Sequence, residues 1–153
     1  ILPQHLSFIG IADYPRKLPE SADSPFRDCY LNFEKKGCRF FPRYHFEGEY
    51  AESLARFISE GIRTPKVYVS LDLDVGAYNF SWAARYMDVP GINLQNLLDT
   101  AHLIRAACQQ NKADLAGFDI MEFNMHFLGI ESEDGTRDTT IETVREYLKA
   151  LTG

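Results

Sequence analysis

The sequence predicts an α/β domain of three layers, a mostly parallel sheet between helices, and three observations predict it. Short apolar runs rich in β-branched and aromatic residues alternate with stretches whose apolar residues recur at helical spacing. The order runs strand, loop, strand, helix, strand, helix, strand, helix, and strands separated by helices call for parallel crossovers. The 153 residues, 45% hydrophobic and 25% charged, suffice for one domain, residues 1–153, with its own core and no disulfide staples.

Leu6 to Ile11 reads as the first strand, bounded by the breakers Ala12-Asp13-Tyr14-Pro15. From Pro15 to about Asn32, three prolines with Ser and Asp between them predict a covering loop with one short helical turn. Cys38 to Phe41 is a second strand, stopped by Pro42. Tyr50, Leu54, Phe57 and Ile58 share one helical face, with Gly61 expected just past the helix end. Val67 to Val75 is apolar on both alternating sets, the pattern of a strand covered on both faces. Leu94, Leu97, Leu98, Ala101, Ile104 and Cys108 mark a long helix capped by Asn93. Leu115 to Met121 is the last strand. Thr139-x-x-Glu142 reads as a capping box before a helix whose buried stripe is Ile141, Val144, Leu148 and Leu151.

Charge and composition narrow the function. A net charge of −6 and a pI near 5.2 argue against nucleic-acid and membrane partners, which reward a basic face. Three cysteines without a CxxC spacing suggest neither a disulfide framework nor a zinc site, and a cytoplasmic location is expected. Phosphate-cradling glycine motifs are absent from the sequence. Ile1 in place of Met leads to the expectation of a piece of a longer chain.

Ser70-Leu71-Asp72-Leu73-Asp74 is the strongest chemical signal. Two carboxylates on one face at the carboxyl end of a buried strand repel each other, so one protonates or a cation sits between them. The alternative is that both cap loop amides. Asp119 and Glu122 end the next strand, and if the two strands are neighbours the carboxylates gather at one sheet edge. Such a cluster suits Mn²⁺ or Mg²⁺. For Asp119 the competing reading is a core hydrogen bond; for Glu122, a solvated loop. His126 is the only histidine near the cluster in sequence, whereas His5, His45 and His102 read as solvated or helical residues.

Ser70 to Asp74, together with Phe118-Asp119-Ile120-Met121-Glu122-Phe123-Asn124, resembles the arginase/agmatinase (ureohydrolase) family. That family carries Ser-x-Asp-x-Asp on one strand and Leu-Asp-Ile-x-Glu-Val-Asn-Pro at the end of the next. Ile9-Gly10-Ile11-Ala12-Asp13 is similar to its Ile-Gly-x-Arg-Asp strand. The likeness spans residues 6 to 152 but corresponds only to the carboxyl-terminal half of the family's fold. It implies a two-manganese hydrolase of C–N bonds in linear amidines or guanidines, with Asp72 and Asp74 as metal ligands and a small cationic substrate. Glu122 would be the catalytic, substrate-orienting carboxylate, with His126 beside the substrate. The sequence departs from the family after Asp74 and at Met125, and it lacks the family's Gly-Gly-Asp-His and Asp-x-His-x-Asp motifs. An incomplete metal site in this chain is therefore expected. The other reading is a non-catalytic arginase-like module that binds a partner or a small molecule. Half a sheet also leaves a strand edge bare, and a homo-oligomer paired through that edge is expected.

Overall fold

The computed structural model describes residues 1–12, 14, 25–84, 91–133 and 135–153, and for residues 25 and 26 the backbone alone. Its strands are β1 (Ser7–Ile9), β2 (Arg39–Phe41), β3 (Lys66–Asp72) and β4 (Asp114–Met121). Its helices are α1 (Pro25–Lys35), α2 (Ala51–Gly61), α3 (Leu94–Asn111) and α4 (Thr140–Thr152). β1 pairs in parallel with β2, and β3 in parallel with β4. Among the described residues the two pairs share no hydrogen bonds.

Alternation along a strand decides what each face touches. On β2, Phe41 turns toward α2 and packs against Phe57, while Phe40 turns the other way and meets Tyr30 of α1. The β1–β2 pair thus lies between helices. On β3, Val69 and Leu71 are buried in the core that α2, α3 and α4 share, with Leu54, Leu97, Ile104, Tyr147 and Leu151. The opposite face of β3, carrying Lys66, Tyr68, Ser70 and Asp72, is exposed among the described residues. The coverage on both faces expected of the Val67–Val75 strand is not met among the described residues, where β3 is buried on one face and exposed on the other.

Four local expectations are corrected. The segment taken as loop up to Asn32 contains α1 from Pro25 onward. Proline fits a first helical turn, where its missing N–H has no partner to lose. The part of that loop from 15 to 24 lies outside the described residues. Gly61 is the last residue of α2 rather than its terminator. A side chain there would collide, because an added Cβ would stand 2.8 Å from Arg39 Nη1 and 2.9 Å from Ser7 Oγ. β3 stops at Asp72, not Val75, and Leu73–Gly76 forms a 3₁₀ turn.

The fourth correction concerns α4. Thr139 makes no side-chain cap, and Glu142 instead receives a hydrogen bond from Arg137. The capping carboxylate is Asp138, which is 3% exposed. Its Oδ1 accepts from the Thr140 hydroxyl, from Thr140 N at 3.2 Å and from Trp82 N at 3.3 Å, and its Oδ2 from Gly129 N at 3.0 Å. One side chain thus ties α4 to the segments on either side of β4's end. The long helix behaves as expected: Asn93 and Asn96 satisfy each other's backbone N–H at 2.9 and 3.1 Å.

Burial alone would raise the Asp138 carboxyl. The N–H donors of Gly129, Thr140 and Trp82 and the Thr140 hydroxyl outweigh it and hold the group below the usual carboxylate range. Stability from Asp138 is therefore fully present above the carboxylate range of the unfolded chain, and it falls away as pH drops through the lower folded value. Asp138→Ala should cost about 2–4 kcal/mol at neutral pH, since it strands several buried donors. The deficit relative to wild type should shrink on acidification, which urea melts across pH 7 to 3 would show.

Candidate functional site

Parallel pairing brings the chemistry-bearing ends of β3 and β4 together. Asp72 stands opposite Met121 in the register, so Glu122 follows one residue beyond the neighbouring strand. The strands are neighbours, as the carboxylate cluster required. Asp72 is exposed, and its Oδ1 accepts from Asp74 N at 3.0 Å. This oxygen does cap a loop amide. Asp74 leaves the strand on the 3₁₀ turn, so turn geometry places its carboxyl rather than strand alternation.

Glu122 has φ 58, in the left-handed region. A residue with a Cβ pays for that conformation, and such strain concentrates where a side chain must be aimed. Tertiary contacts hold the bend: Phe123 bridges to Ala84, and Asn124 N donates to Ala83 O at 2.8 Å. Asn124 Oδ1 in turn accepts from His126 N at 3.1 Å. His126 is exposed on the short turn Met125–Phe127.

Asp119 lies opposite Ser70 on the bare face. The Tyr68 hydroxyl donates to its Oδ2 at 2.8 Å. Tyr68 reaches it by lying across Gly117, where an added Cβ would meet the ring at 2.6 Å. Hydrogen bonds from Ser70 and then Tyr68 hold the Asp119 carboxyl below its ordinary value, against a smaller opposing effect of burial. The same bond raises the Tyr68 phenol. Asp119 thus makes a hydrogen bond, as weighed for it in the sequence, but on the exposed face of the strand pair rather than in the core. Its Oδ1 is buried without a hydrogen-bond partner among the described residues. Tyr68 is the member of this group that sequence reasoning missed; the signal was a glycine directly across a strand pair from a tyrosine.

A cleft of about 940 Å³ opens between β1 and β3, and Asp72, Asp119, Met121 and Glu122 stand among its lining residues. The oxygen donors at its rim are of the type that hard divalent ions prefer. Among the described residues, however, no three His, Cys, Asp or Glu side chains come together as a group able to hold a metal. The described side chains do not complete a manganese centre.

This architecture defines a class: an α/β protein with acidic residues at the carboxyl ends of two paired parallel strands, where open sheets place their sites. No family model matches the sequence, and no curated protein does. Solved structures do. A proclavaminate amidino hydrolase from Streptomyces clavuligerus matches with a TM-score of 0.69 at 22% identity, over 99% of this chain and 43% of that one. An arginase from Bacillus caldovelox matches at 0.70 and 16% identity, over 100% and 44%. A formimidoylglutamase from Bacillus subtilis matches at 0.68 and 17%, over 97% and 40%. The fold is arginase-like. This chain spans under half the length of each of those proteins.

Replacing Tyr68 with Phe removes one of the two bonds that depress Asp119, so the Asp119 carboxyl should titrate at higher pH than in wild type. Carboxyl-carbon NMR titration measures it. An unmoved Asp119 would mean that Ser70 alone sets its acidity.

Proposed function

We propose that the complete protein hydrolyses a C–N bond of a linear amidine or guanidine in a manganese-dependent reaction, and that this chain supplies part of the site. The observation that carries the reading is the pairing of β3 with β4, which sets Glu122 one residue beyond the strand position opposite Asp72. The printed names of the structural neighbours, an amidino hydrolase, an arginase and a formimidoylglutamase, support the reaction class. Asp72 and Asp74 would be metal ligands, with further ligands from polypeptide outside these 153 residues. Bound there, the metal pair would supply an activated water.

This chain's own residues have separable tasks. A carboxylate at Glu122 orients an amidinium or guanidinium group through charge-assisted hydrogen bonds. Its strained backbone fixes where that carboxylate points. Exposed His126, two residues past Asn124, is assigned to the substrate side. Among the described residues all three cysteines are free, which supports a reducing, cytoplasmic setting. The departure of the sequence from the family pattern after Asp74 favours a second reading, a non-catalytic arginase-like module that binds a partner or a small molecule.

Metal content and turnover of the complete protein separate the two. Asp72→Ala should lose both manganese and activity. Glu122→Gln should keep manganese and lose turnover by about 10²-fold or more, as for removal of a group that orients substrate. Glu122→Gly should be equally inactive yet at least as stable to heat as Glu122→Gln, because glycine accepts a positive φ. Equal manganese in wild type and Asp72→Ala would overturn the metal assignment. A complete protein with neither metal nor activity would establish the module.

A further inference from the structure

A strained residue keeps its conformation only where its surroundings over-determine it. Just beyond the left-handed Glu122, two contacts hold the chain, and both go to one short segment. Asn124 N donates to Ala83 O at 2.8 Å, and Phe123 bridges to Ala84. The bend is therefore placed no better than residues 82–84 are, and those residues are held by the start of α4. Trp82 N donates to Asp138 Oδ1 at 3.3 Å, and Ala83 N donates to Thr140 Oγ1 at 3.2 Å. Ala83 is the junction: its N–H reaches α4 and its C=O receives the amide beyond the bend. It is fully buried, so water cannot stand in for either partner.

The Thr140 side chain is also fully buried, and its one oxygen has two tasks. It donates to Asp138 Oδ1 and accepts from Ala83 N. A hydroxyl has a single proton to give. Burial opposes ionisation of Asp138, but the donors from Gly129, Thr140 and Trp82 hold its carboxyl below the usual range, so at neutral pH it is an acceptor. The carboxylate takes the hydroxyl proton, and the lone pairs of Oγ1 are left for Ala83. Capping does not call for this hydroxyl, because Asp138 already receives Thr140 N.

We propose that Thr140 is a positioning residue for Glu122: its hydroxyl, oriented by Asp138, fixes Ala83 and through it the bend that aims the Glu122 carboxylate at a cationic amidine or guanidine. This rests on the assignment of Glu122 to the substrate. Thr140 acts through Ala83 and Asn124, and neither Asp72 nor Asp74 belongs to the relay.

Two substitutions in the protein as its gene encodes it separate positioning from packing. Thr140→Val keeps the shape and deletes the hydroxyl, whereas Thr140→Ser keeps the hydroxyl and deletes a buried methyl. Both should lower the melting temperature. Only Thr140→Val should move the bend. Its Glu122 Cα and Cβ shifts and HN–Hα coupling should leave the left-handed pattern, and its Asn124 amide should exchange faster, with Thr140→Ser matching wild type in both. Turnover of a linear amidine or guanidine should divide the same way. In Thr140→Val kcat should fall at least about tenfold, as for a misplaced orienting group, with manganese content unchanged. Glu122 signals that are alike in the two variants, both shifted or both unmoved, would overturn the proposal. If Thr140→Val does not fold, Asp138→Asn decides: its carboxamide oxygen still accepts from Thr140 and Trp82 while Gly129 loses its acceptor. The bend should survive there despite lower stability, and its loss would overturn the proposal. The spectroscopic contrast needs no activity, so the two readings fail separately. A shifted bend with undiminished turnover would overturn the assignment of Glu122 to the substrate, and with it the aim proposed for Thr140, while a wild-type protein without turnover would overturn the hydrolase reading alone.

Discussion

The parallel ladder between β3 and β4 is the constraint on which the rest of the molecule depends. Its inner face, with Val69 and Leu71, is where α3 and α4 bury their apolar stripes, and both helices are tied to it through the core around Leu97, Ala101, Tyr147 and Leu151. Its carboxyl end sets Asp72 opposite Met121 and so brings Glu122 to the same rim. A ladder of this kind is enforced by burial: slipping it by one residue would turn Val69 and Leu71 outward and Ser70 inward. The polar rim therefore inherits its geometry from apolar packing beneath it.

A second layer of control is polar and lies behind that rim. Asp138 gathers the Trp82, Gly129 and Thr140 amides, and Ala83 in turn receives the Asn124 amide. The Thr140 hydroxyl also accepts from Ala83 N at 3.2 Å. These bonds run from the start of α4 through the 81–84 segment to the strained bend at Glu122. A buried carboxylate far from the rim in sequence thus fixes the backbone on which the candidate substrate-binding residue stands.

The alternation of elements, the Asn93 cap and the two acidic motifs were legible in the sequence, since each rests on local periodicity or local chemistry. What escaped had a non-local cause. Prolines at 15, 19 and 25 made the early segment read as loop, although proline at a helix start is favourable. Gly61 read as a terminator because its real constraint, the approach of Arg39 and Ser7, comes from other strands. The extent of β3 was overestimated because Leu73 and Val75 keep an apolar rhythm through a tight turn. Asp138 was hidden by a capping pattern beginning one residue later, and the Tyr68–Asp119 bond by the separation of its partners across two strands. The fitness of the rim for metal was the least legible part, because sequence spacing does not show which side chains converge, and among the described residues no three ligand-type side chains do.

The irregularity inside the β3–β4 ladder has a consequence for how this sequence can vary. Val67 faces Leu115 but Tyr68 faces Gly117, so Ala116 stands outside the pairing as an extra residue on β4. The parity of β4 changes there. Leu115 before it and Phe118 and Ile120 after it all pack against the core, although Leu115 and Phe118 are separated by an odd number of positions. Upstream of this point β4 has a reservoir: deleting Ala116 would shorten the strand without reversing the faces of the remainder. Downstream no such reservoir exists, and a single inserted or deleted residue between Gly117 and Met121 would exchange the inner and outer sets wholesale. Length variation among relatives of this chain should accordingly collect before Gly117, while the stretch from there to Glu122 stays constant in length even where its residues change.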